Sequence, residues 1–142
     1  DPEQHTWLAL FFLDLDGFKG INDSYGHEFG DKVLQTVAEI IGKSVRQNDM
    51  AARLAGDEFT ILFSHPDNPQ HIVSAISQRL LQGLSEVTHI DQTPVKLSAS
   101  IGIAIALNDD LLKPETLLSL ADKAMYQAKQ LGKGTFCIEY HS

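Results

Sequence analysis

Val95, Leu97, Ala99, Ile101, Ile103 and Ile105 alternate strictly with Lys96, Ser98, Ser100, Gly102, Ala104 and Ala106. A period of two belongs to an extended strand, so the chain must build a sheet. One face of this strand is apolar, and the other carries small residues that let a helix or ligand approach closely. Trp7 to Leu13 is apolar on both faces, which suits a central strand covered by helices on at least one side, and Asp14 marks where it emerges. Helical spacing governs three other segments. Phe29, Val33, Leu34, Val37, Ile40 and Ile41 predict an amphipathic helix from Glu28 to near Arg46-Gln47-Asn48-Asp49, and Ile72, Val73, Ile76, Leu80, Leu81 and Leu84 predict a second. Leu117, Leu118, Ala121, Ala124, Met125 and Ala128 predict a third, with Pro114 in its first turn and Gly132 as its stop. Met50 to Leu54 and Phe59 to Phe63 read as a hairpin, and Thr135 to Tyr140 as a last strand that closes the sheet.

The order of these elements predicts an α+β fold, a mostly antiparallel sheet flanked by helices. The 142 residues match one domain, 1–142, with no internal repeat or linker. The longest apolar run is too short to span a bilayer, so a soluble domain without membrane contact is expected. A single cysteine, Cys137, excludes an internal disulfide framework and a Cys-rich zinc site, and fits a reducing cytoplasm. The net charge of -8 argues against a surface that tracks a nucleic-acid polymer, while leaving room for a basic pocket that takes one nucleotide.

Two acidic turns carry the chemistry. Asp14 and Asp16 point to one face at the end of the first strand, where they could share a hard cation, and Asp57 and Glu58 stand in the turn of the predicted hairpin. Taken singly, such residues are better explained as solvated caps. Gly17-Phe18-Lys19 follows the first strand and opens a short helix, so its backbone N–H groups can face a phosphate; Phe18 can equally be a packing anchor.

With the run from Gly17 to Asp31, these residues closely resemble the GGDEF family of diguanylate cyclases, whose name-giving motif stands here as Ala55-Gly56-Asp57-Glu58-Phe59. The resemblance covers nearly the whole chain. It implies a nucleotide-cyclase or polymerase-palm-like fold, a relative of the ferredoxin-like architecture. It implies Mg²⁺, with Mn²⁺ as a substitute, held by Asp14, Asp57 and Glu58, and catalysis centred on Asp57 and Glu58, with Asp57 activating the attacking hydroxyl. Substrate GTP would meet Gly17, Phe18, Lys19, Ala55, Gly56, Lys129 and Lys133, and Asn22 and Asp31 would read guanine. Arg46 and Asp49 match the family's RxxD site, where the product cyclic di-GMP binds and inhibits.

Each of these positions also has a plain structural reading. Asn22 suits a turn, Asp31 a first helical turn, Lys129 and Lys133 the end of a helix, and Arg46 with Asp49 a surface ion pair. His27 has no catalytic role assigned. The chain departs from the family pattern at Ala55 for glycine, Lys133 for arginine and Gly134 for asparagine. The family also implies a homodimer as the active species and a longer parent protein with sensor, receiver or EAL domains, which a membrane anchor would suit. Two functions follow: a diguanylate cyclase, or a weak or inactive module that binds GTP or cyclic di-GMP and regulates an attached domain. An inert dimerisation module is a third.

Overall fold

The computed structural model describes residues 6–45, 50–109 and 111–141. In chain order the elements are β1 (Thr6–Leu15), α1 (Phe18–Tyr25), α2 (His27–Ser44), β2 (Met50–Ala55), β3 (Glu58–His65), α3 (Gln70–Ser85), β4 (His89–Ile90), β5 (Thr93–Pro94), β6 (Ala99–Asn108), α4 (Pro114–Gln130) and β7 (Phe136–Tyr140). Five strands form one sheet in the order β2-β3-β1-β6-β7. The doubly apolar β1 is its central strand, as the sequence requires. It pairs antiparallel with β3, from Trp7 opposite His65 to Asp14 opposite Glu58, and antiparallel with β6, from Thr6 opposite Asn108 to Leu15 opposite Ala99.

The two faces of the sheet are covered differently. Phe11, Leu13 and Leu15 of β1 join Ile101, Ile103 and Ile105 of β6, Val33 and Val37 of α2, and Val73, Leu80 and Leu84 of α3 in the main core. On the opposite face Phe12, Ala104 and Ala106 pack against Leu117, Ala121 and Met125 of α4. The small residues of β6 explain how near α4 comes: a Cβ on Gly102 would lie 2.1 Å from both the Ala121 carbonyl oxygen and the Met125 nitrogen. The close approach expected on this face is therefore made by a helix.

The sheet is mixed. β7 runs parallel to β6, from Ile101 opposite Phe136 to Ile105 opposite Tyr140, because α4 carries the chain back over the sheet before β7 begins, the crossover that parallel neighbours need. The alternating run that begins at Val95 enters the ladder only at Ala99, since its neighbour β1 ends at Leu15. Residues before it form the small antiparallel β4/β5 hairpin, which the sequence reading misses. Among the described residues no helix is long and apolar enough to cross a membrane.

Candidate functional site

The C-terminal end of β1, the β2–β3 turn, the start of α1 and the end of α4 converge at one end of the sheet. Asp14 is the last ladder partner of Glu58 and is only 8% exposed. One of its oxygens, Oδ2, accepts from Lys129 Nζ at the end of α4. The other, Oδ1, is buried with no donor on the protein. The carboxyl of Asp57 lies beside it. Burial first, and then the neighbouring Asp14, with which a proton on Asp57 can be shared, push the Asp57 pKa up to about 6. Lys129 is shifted upward in turn by its hydrogen bond to Asp14 and by the charges of Asp14, Asp57 and Asp16.

Two carboxyl groups in contact, one with an orphaned buried oxygen, form a donor set that suits a hard divalent cation. Among the described residues no group of three or more His, Cys, Asp or Glu side chains gathers as a metal cluster. Glu58 faces Asp14 across the ladder and adds to the upward shift of Asp57 without completing such a cluster. A cation held by Asp14 and Asp57 would therefore take its remaining oxygens from backbone, water or substrate phosphate, as Mg²⁺ commonly does.

Asp16 does not share that pair. Its Oδ1 accepts from Ser100 Oγ at 2.7 Å, and its Oδ2 accepts from Ser98 Oγ at 2.7 Å and from the Gly134 N–H at 3.0 Å. Of the two aspartates expected to share a cation, Asp14 therefore keeps the unpartnered oxygen, while three hydrogen bonds tie Asp16 to Ser98, Ser100 and Gly134. The serines sit on the small-residue face that the alternation identifies, but nothing in their spacing names Asp16 as their partner.

Gly17, at φ 72°, turns the chain from β1 into α1. The first N–H groups of α1 have no partner within the helix and open toward this end of the sheet. Phe18 begins the helix, but its ring is buried in the main core, so only its backbone is available to a ligand. Lys19 is exposed. Asn22 of α1 has its Oδ1 buried and unpartnered against α2, where Gly30 makes room for it: a Cβ there would lie 1.9 Å from Asn22 Oδ1. No pattern in the sequence marks Gly30. Asp31 is exposed on the next residue of α2, and His27 is exposed at the helix start.

In the acidic turn, positive φ falls on Gly56, at 53°. Ala55 ends β2 opposite Glu58 and is a strand residue. The departure from glycine at 55 therefore costs no left-handed backbone. Lys133 follows α4 with φ 66° and is exposed. Arg46 and Asp49 lie outside the described residues.

The family model described as "Diguanylate cyclase, GGDEF domain" matches residues 2–135. The chain is 41% identical over 130 residues to the bifunctional diguanylate cyclase/cyclic di-GMP phosphodiesterase MucR of Pseudomonas aeruginosa, a match that covers 92% of this chain and 18% of MucR. It is 42% identical over 127 residues to the cyclic di-GMP phosphodiesterase NbdA of the same organism, covering 89% of this chain and 16% of NbdA. The chain thus spans less than a fifth of either relative. Among solved structures, the GGDEF domain of DgcB from Caulobacter crescentus in complex with c-di-GMP superposes with a TM-score of 0.84 at 28% identity, covering 94% of this chain and 78% of that one.

Proposed function

The chain belongs to the GGDEF domain family of diguanylate cyclases, and we propose that this domain condenses two GTP molecules into cyclic di-GMP with release of pyrophosphate. The observation that carries the proposal is the contact between Asp14 and Asp57, with its orphaned oxygen, beside the N-terminus of α1. In this reading Asp14 and Asp57 hold Mg²⁺, and Mn²⁺ can replace it; the ion supplies charge neutralisation at the triphosphate. The backbone N–H groups of Gly17, Phe18 and Lys19, together with Lys129 and Lys133, bind phosphate oxygens. Asn22 and Asp31 select guanine over adenine, since a carboxylate accepts from guanine N1–H and N2–H₂.

Two domains face each other, each holding one GTP. The 3′-oxygen of one nucleotide forms a bond to the α-phosphorus of the other, the bond to the bridging α,β-oxygen breaks, and pyrophosphate leaves. The hydroxyl proton passes to a carboxylate, a task this reading gives to Asp57. Arg46 and Asp49 bind the product and restrain turnover.

A second reading, a binding module without turnover, is favoured by one observation: NbdA, at 42% identity, is named for phosphodiesterase activity alone. One experiment separates the two. The purified domain is incubated with GTP and Mg²⁺, and the nucleotides are resolved by chromatography, with Asp57→Asn as control. Cyclic di-GMP from the parent, and none from an Asp57→Asn variant of unchanged melting temperature, supports the cyclase. Binding of GTP with no product at high protein concentration replaces it with the receptor.

A further inference from the structure

Asp16 joins three segments at the mouth of the site. Its carboxylate accepts from Ser98 and Ser100 at the start of the β6 region and from the Gly134 N–H after α4, while its own N–H donates to the Ser98 carbonyl at 2.9 Å. The segment it captures needs holding. Gly132, Lys133 and Gly134 have φ of 116°, 66° and 62°, three successive left-handed residues, and one of them bears a side chain. The Gly132 N–H reaches the Lys129 carbonyl and the Lys133 N–H the Ala128 carbonyl, each at 3.2 Å, which ties the turn to α4. The Gly134 N–H leaves the helix for Asp16. A side chain at Gly134 would crowd that junction, since its Cβ would stand 3.0 Å from Ser98 Oγ.

We infer that Asp16 is a positioning residue and not a cation ligand: it clamps the 132–134 turn to the ends of β1 and β6, and so fixes where Lys133 stands relative to a triphosphate. The identity of the ligand rests on the function proposed above. The clamp rests on the hydrogen bonds alone. Asp16 already accepts three hydrogen bonds that its neighbours depend on, whereas Asp14 has a buried oxygen that accepts none.

Calorimetric titration in Mg²⁺ with two probes tests this: α,β-methylene-GTP, which cannot release pyrophosphate, and inorganic tripolyphosphate, which has the charge but no base. Asp16→Ala and Lys133→Ala should each weaken both probes roughly tenfold, the scale of one charge-assisted contact. The double variant should be no weaker than either single one, because both remove the same positioned ammonium. Asp16→Asn should recover most of the affinity, its amide oxygen accepting from Gly134 and its NH₂ donating to Ser100. The Mg²⁺ concentration that half-saturates binding should be the same in the parent and all four variants. Independent, additive losses would overturn the inference, as would a raised Mg²⁺ requirement with Asp16→Asn no better than Asp16→Ala. Should Asp16→Ala fail to fold, Ser98→Ala removes one bond of the clamp and replaces it in the cycle with the same outcomes. If the parent binds neither probe, the proposed function fails, and hydrogen exchange at the Gly134 amide decides the clamp: protection lost in Asp16→Ala, or in Ser98→Ala should that variant not fold, and kept in Asp16→Asn sustains it, and exchange unchanged in Asp16→Ala or its substitute overturns it.

Discussion

Asp57 is the residue whose chemistry the fold alters most. Its folded pKa of about 6 stands above the ordinary 3.8, so the native state holds this proton more tightly than the unfolded chain does. The stability it contributes is therefore complete below 3.8 and is lost as pH rises through about 6. Calorimetric melting of the cation-free domain should show this decline between those values, and Asp57→Asn should flatten it. A divalent cation competes with the same proton, so its affinity should climb up to about pH 6 and level off above. Gly30 permits a second test. Glycine to alanine within a helix commonly stabilises by about 0.5 to 1 kcal/mol, and the atom it would strike, Asn22 Oδ1, ends a side chain that can swing away. Gly30→Ala should keep its melting temperature yet lose preference for GTP over ATP in competition binding, because the displaced carboxamide no longer stands where guanine would meet it.

Between elements the decisive contact is that of α4 on β6. At Gly102 the atoms that a Cβ would strike belong to the α4 backbone and cannot rotate aside. Gly102→Ala should cost about 1 to 3 kcal/mol through overpacking, lowering the melting temperature by roughly 3 to 12 °C. Because α4 carries Lys129 to Asp14, phosphate affinity should fall with it. The alternation from Val95 to Ala106 discloses this small-residue face, but pattern alone does not say what lies against it. Nor can it show that Val95 and Leu97, though buried, fall outside the ladder, because the limit is set by where β1 ends. The acidic turns were legible because aspartates two apart at a strand end, and a Gly-Asp-Glu turn between strands, each have a local meaning. The division of labour between Asp14 and Asp16 was not legible. It depends on Ser98, Ser100 and Gly134, more than eighty residues away in sequence.

Across the described residues, Asp14, Asp57, Lys129 and the start of α1 gather at one end of the sheet, with Gly56 exposed at the edge of the acidic turn. Under the proposed cyclase reaction, one such site would supply half of what two nucleotides need. Specific activity should therefore rise with protein concentration, in step with the dimer fraction measured by sedimentation; activity per molecule that stays constant under dilution would remove the need for a second copy. The position of β1 also has a meaning in time. The strand that comes first in the chain is central in the sheet, and it waits for partners at 58–65 on one edge and 99–108 on the other. Such distant pairings make folding slow, and a nascent chain released as far as α3 would carry an apolar strand with one flank bare, a template for pairing with other chains. Only when β6 arrives does that flank close, so the domain has no stable first half, and the aspartate at the end of β1 acquires its neighbours in the same event that completes the core.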